Sequence, residues 1–188
     1  MIFPDRSGSL EFEAVHLPAG AEMIDPAYVR RMARYNRWQN QNLYGAADTL
    51  SDGERRRERG AFFGSIHKTL SHLRWGDQIW MSRFADVTKP AGGIPESVSM
   101  YPDWDGLKRE RAAFDETMIA WADRLDASWL TNDLTYYSGA AKRDITAPKW
   151  ALITHMFNHQ THHRGQVHCM LTQAGAKPHT TDLPALPE

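Results

Sequence analysis

The chain has 188 residues with 41% apolar and 24% charged side chains, which suits one globular domain with its own hydrophobic core and argues against disorder or a fibrous architecture. Its net charge of -1, from 22 basic and 23 acidic residues, provides no footprint for wrapping a polyanion, so nucleic acid is not an expected partner. Cys169 is the single cysteine, which excludes an intrachain disulfide and a thiolate metal cluster. The first residues lack the basic-then-apolar pattern of a signal peptide and no 18-residue apolar run occurs, so no membrane association and a cytoplasmic location are expected.

Residues 1–22 are punctuated by Pro4, Gly8, Pro18 and Gly20, with Leu10, Phe12 and Val15 hinting at a short strand. They are expected to form an extension packed on a domain spanning residues 23–188. A first helix should start where Asp25 can cap and Pro26 can occupy the first turn, and should end near Asp48. Ser51 and Glu54 form a capping-box pattern that opens a short charged helix, with Gly60 closing it. The arginines between Glu54 and Arg59 are expected on a solvated face.

From Ser65 to Phe84, Ile66, Leu70, Leu73, Asp77, Trp80 and Phe84 recur at steps of four and three, which predicts a core helix with one acid in its stripe. A further helix from Asp103 carries Trp104, Leu107, Arg111, Phe114, Met118, Trp121 and Leu125 on the same spacing. Between Ala127 and Thr146 the period breaks, and Leu134–Tyr137, Ser138-Gly139 and Arg143–Ile145 suggest a small hairpin or an ordered loop. Thr146-Ala147-Pro148 predicts the start of a long last helix that runs to Gly175, followed by an irregular Pro-rich tail. Four long helices with short connections predict an all-α, up-down four-helix bundle.

Five of the nine histidines, His155, His159, His162, His163 and His168, fall within 14 residues of the last helix. Residues four apart on a helix lie about 40° apart around the axis, so His159 and His163 project side by side. An isolated pair of this kind is often a core feature, but the crowding favours ligands for one divalent ion of the zinc, nickel, copper or iron type. A third ligand must come from another helix. His67 and His72 are five apart, roughly 140° around the axis, so only one of them can face the site. His72 is preferred, because Thr69 and Gly76 beside it leave room for a neighbouring helix.

Gln166, seven residues beyond His159, is a candidate hydrogen-bonding group behind the ligands, and Asp77 is another. Asp77 would either orient an imidazole or pair with Arg164 or Arg74. His162 and His168 are expected at the surface or rim. An H-E-x-x-H metalloprotease is disfavoured because Gln160 stands where the glutamate base would be. Serine triads, phosphate loops and dinucleotide fingerprints are absent.

The segments Ser71-His72-Leu73-Arg74-Trp75-Gly76-Asp77 and Asn158-His159-Gln160-Thr161-His162-His163-Arg164-Gly165-Gln166 resemble the DinB-like family of damage-inducible bacterial proteins. Tyr35-Asn36-Arg37-Trp38 is similar to that family's first-helix signature and Thr181-Asp182-Leu183-Pro184 to its tail. The resemblance covers roughly Asp25 to Pro184, and the family is unrelated to the error-prone polymerase that shares its name. It implies an up-down-down-up bundle, often a homodimer, with His72, His159 and His163 as the metal triad. It also implies that the segment before Glu22 departs from the usual start and covers either the site or a dimer face. Relatives of known chemistry are thiol transferases and isomerases that use mycothiol, bacillithiol or glutathione.

The expected function is therefore a metal-dependent transferase or isomerase acting on a small-molecule substrate with a low-molecular-weight thiol, on zinc or nickel. Asp77 or Tyr35 would steer protons if they line the cavity. A metal-dependent hydrolase and a non-enzymatic, stress-induced dimeric metal scaffold are the alternatives. Protonation of the imidazoles should release the ion on acidifying through about pH 6.

Overall fold

The computed structural model describes residues 23–187, and the strand-like piece expected around Leu10, Phe12 and Val15 lies outside them. The described chain is mostly helical with one two-stranded sheet. Among these residues no helix is long and apolar enough to cross a membrane.

Helix α1 spans Pro26–Asp48; the Asp25 carboxylate accepts from the Tyr28 amide at 2.7 Å, satisfying one of the first-turn donors. Helix α2, Asp52–Arg56, is capped by Ser51 and stops before Gly60, which instead takes a positive φ of 73° in the following loop. Arg55 is not on a solvated face. It is buried, stacks 4.7 Å over Trp104 and donates to the carbonyls of Ala47 and Leu50 at and just beyond the end of α1.

Helix α3 spans Ile66–Phe84 behind Ser65, and α5 spans Trp104–Asp123 behind Asp103. Two four-residue helices, α4 (Ile94–Ser97) and α6 (Ala127–Leu130), occupy stretches too short to show a period. Strands β1 (Asp133–Ser138) and β2 (Arg143–Pro148) pair antiparallel with Tyr136 opposite Ile145. Thr146 therefore belongs to the hairpin, and the last helix, α7, begins one residue after Pro148, spanning Lys149–Gln173. The tail is tied to α1: Gln39 and Asn42 amides donate to the carbonyls of Thr180 and His179, both at 3.1 Å.

The long helices pack as α1 on α5 and α7, and α3 on α7 and α5. Arg34 meets Asp123 and Asp48 meets Lys108, so α1 and α5 run antiparallel. His72 lies beside His163 and Trp80 beside His155, so α3 and α7 do the same. Tyr28 on Phe157 and Asn36 with Arg164 make α1 parallel to α7. Asp77 with Arg111 and Phe84 on Trp121 make α3 parallel to α5.

The apolar core is divided in two. One part gathers Val29, Met81, Met118, Ile153 and Phe157, and the other Leu43, Leu70, Leu107, Val167 and Leu171. Between them lies a buried polar layer with a residue from every long helix. Gln160 Nε2 donates to Asp77 Oδ1 at 2.8 Å, and Arg111 Nη1 donates to Asp77 Oδ2 at 2.5 Å. Arg111 Nη2 reaches Asp115 at 2.8 Å, which also accepts from Asn40 at 2.9 Å and Asn36 at 3.4 Å. Arg164 donates to Asn36 and so returns the circuit to α7.

The anomalous acid of the α3 stripe is thus paired with Arg111, not with Arg74 or Arg164. Arg74 is instead drawn to Glu110 at 3.2 Å. Removing one partner of a buried ion pair leaves the other charge uncompensated, which typically costs about 3–5 kcal/mol. Arg111→Met is expected to lower the stability of the full chain by about that amount, read from the midpoint of urea unfolding. Double substitution of Arg111 and Asp77 by apolar residues should recover part of the loss.

Candidate metal centre

Three imidazoles meet at the level of the polar layer. His72 from α3 and His159 and His163 from α7 offer nitrogen atoms that all lie within 4.8 Å of one another, and the three could hold a metal ion. The Nε2 atoms of His72 and His159 are 3.2 Å apart. Two ligands on a tetrahedral ion keep a separation of about 3.3 Å when each metal–nitrogen distance is close to 2 Å, so this donor set fits such an ion. The approach of α7 depends on Gly76, since a Cβ there would lie 3.0 Å from His159 Cε1.

Hydrogen bonds behind two of the rings determine which nitrogen faces inward. The Ser97 hydroxyl donates its single proton to the Ile94 carbonyl at 2.6 Å, so it accepts from His72 Nδ1 at 2.8 Å. His72 then presents a bare Nε2 to the centre. Ser71 holds α4 in place by donating to the Ser97 carbonyl at 2.6 Å. His163 Nδ1 donates to Gln166 Oε1 at 2.8 Å, which likewise frees its Nε2. His159 Nδ1 is buried with no partner among the described residues.

Burial keeps all three rings neutral, the form that binds a metal. It draws His72 down to about 3 and His159 to about 4, helped in both cases by the neighbouring imidazoles, and it lowers His163 as well. Aromatic groups provide that burial. Phe63 sits with its ring 4.0 Å from His72 and 5.2 Å from His163, and Trp75 stacks on His72 at 5.9 Å.

The other sequence-predicted residues fall as follows. His67 turns away and donates to the Tyr101 carbonyl at 2.7 Å. Gln166 stands behind His163, whereas Asp77 does not orient an imidazole: five residues from His72, it points roughly 140° away around α3, into the ring with Arg111 and Gln160. Tyr35 is not free to steer protons either, because its hydroxyl donates to the Thr181 carbonyl at 2.5 Å. His162 is exposed and His168 partly so. Ser97 and Phe63 are the groups that sequence reasoning missed. Gly93-Ile94-Pro95-Glu96, with Glu96 accepting from the Gly93 amide at 2.8 Å, is the helix-start pattern that would have drawn attention to α4.

Fold and site together define a predominantly helical protein with a largely buried three-histidine cluster that could hold a divalent ion. The DinB family profile matches residues 23–188, and the chain belongs to the DinB family. It is similar to Protein DinB of Bacillus subtilis (strain 168), at 26% identity over 159 residues that span 81% of this chain and 89% of that protein. Among solved structures it is similar to a DinB-like protein from Bacillus cereus ATCC 10987, with 18% identity and a TM-score of 0.49 over 76% of this chain and 90% of that one.

Two outcomes are expected from this geometry. Ser97→Ala should weaken metal binding about 10–100-fold in a chelator competition, by releasing the His72 ring from its tautomer and orientation. The metal-free protein should lose stability on acidification. The folded pKa values of His72 and His159 lie below the unfolded value near 6.5, so unfolding takes up protons as pH falls through that window. At pH 5 the loss should approach about 2 kcal/mol per histidine, seen as a lower urea midpoint than at pH 7. An ion held by these rings would accordingly be released below the pH 6 expected for unperturbed histidines.

Proposed function

We propose that this chain is a metal-dependent transferase or isomerase that works with a low-molecular-weight thiol. The observation that carries this reading is the convergence of three neutral imidazoles from two helices, two buried and that of His159 half-buried, with no fourth protein ligand in the cluster among the described residues. A divalent ion of the zinc or nickel type, when bound there, supplies a Lewis-acidic open position that favours the ionised form of a thiol.

His72, His159 and His163 hold the ion in this reading, while Ser97 and Gln166 orient two of the rings. Phe63 and Trp75 keep bulk water from the His72 side. Phe62, 78% exposed and packed edge-on to Phe63 at 4.8 Å, offers an apolar surface close to that cover for an incoming substrate. Gln160 cannot act as a base, and its amide already donates to Asp77, which speaks against hydrolysis by the metalloprotease route. The pairwise senses of the helices favour an up-down-down-up bundle, in which α3 and α7 meet as antiparallel neighbours across the site.

Elemental analysis of the purified full chain is the first test. His159→Ala is expected to abolish a stoichiometry of about one ion per chain and His162→Ala to leave it intact; equal metal content in the two variants would refute the site. Turnover of an electrophile panel should then require added thiol, whereas equal turnover without thiol would favour the hydrolase.

A further inference from the structure

The seam between α3 and α7 carries a second feature. His72, Gly76, Ile79 and Arg83 recur on α3 at steps of four, three and four, so one stripe runs from the histidine cluster to the last turn of the helix. Facing it, α7 sets out His163, His159 and His155, with successive ring centroids 4.5 and 6.2 Å apart. Arg83 ends the seam. Its guanidinium carbon lies 4.3 Å from the Trp80 ring centre and 4.1 Å from that of Tyr136, and His155 packs on the same Trp80 at 5.0 Å.

Two aromatic faces hold this guanidinium in position without using its N–H donors. Among the described residues no carboxylate pairs with it, in contrast to Arg74 one part of the helix earlier, which has Glu110. Arg83 is also half-buried, and burial draws it below its ordinary value, although a guanidinium stays charged at neutral pH. A partly desolvated cation with a fixed plane and no counter-ion among the described residues is built to take a carboxylate in bidentate fashion.

The separation sets the size of the ligand. Eleven residues cover about 16 Å of helix axis, and side chains lean toward the N-terminus, as Arg83 does over Trp80. Roughly 10 Å is then left between the guanidinium and the imidazoles. We propose that Arg83 anchors a carboxylate on the molecule that reaches the histidine cluster along the α3–α7 seam. The near end of that molecule rests on the metal reading given above; the anion site at Arg83 stands independently. The carboxylate belongs either to the thiol or to its electrophilic partner.

Calorimetric titration of the zinc-loaded full chain separates these cases, with three probes: glutathione, cysteamine as a thiol without a carboxylate, and 4-phenylbutyrate as a carboxylate without a thiol. Arg83→Gln is expected to weaken at least one carboxylate probe about tenfold or more, with zinc content, circular dichroism and cysteamine affinity unchanged. Arg83→Lys should recover part of the loss. A loss for glutathione places the carboxylate on the thiol; a loss for 4-phenylbutyrate alone places it on the second substrate. Unchanged affinity of Arg83→Gln for both carboxylate probes would overturn the proposal. If the wild-type chain takes up no zinc, the metal reading fails, and the 4-phenylbutyrate titrations still decide the role of Arg83.

Discussion

The buried pair of Asp77 and Arg111 is the constraint on which the arrangement of helices rests. Taking either charge out of water alone would cost several kcal/mol, so each must find the other, and both must find their remaining hydrogen-bond partners. Asp77 finds Gln160 on α7, and Arg111 finds Asp115 on its own helix, which is satisfied in turn by Asn40 and Asn36 of α1, with Arg164 of α7 donating to Asn36. A one-turn slip of any helix would break the circuit, whereas a purely apolar seam could repack after such a slip.

Gln160 and Arg164 each follow directly after a histidine of the cluster. Fixing the inward face of α7 through these two residues also fixes the angle at which His159 and His163 leave the adjacent face, about 100° around the axis. Burial of the ring and geometry of the site are in this sense one property. Gly76 supplies the complementary clearance on α3, and α4 supplies the hydroxyl that holds His72.

Much of the helical layout was legible in the sequence because its signals are local. Asp25, Ser51, Ser65 and Asp103 each cap within three residues of themselves, and the periodic stripes need only one helix to be read. The spacing of His159 and His163 is local in the same way. The partner of Asp77 was not legible, because choosing among Arg74, Arg111 and Arg164 requires knowing which helices adjoin and in which sense, and Arg111 sat unremarked inside the stripe of α5. Ser97 was hidden for a different reason: α4 has four residues and cannot display a period. Thr146 was misplaced because a residue before Ala-Pro suits a helix start and a strand end equally well.

The charges of the polar layer have a consequence for what the centre would accept. Two carboxylates and two guanidinium groups balance within the ring, and the three imidazoles beside it are uncharged. Among the described residues no carboxylate joins the histidine cluster to offset the charge of a divalent ion. An anionic molecule completing the coordination of an ion held there would bring the compensating charge, which favours anions over neutral donors of the same shape.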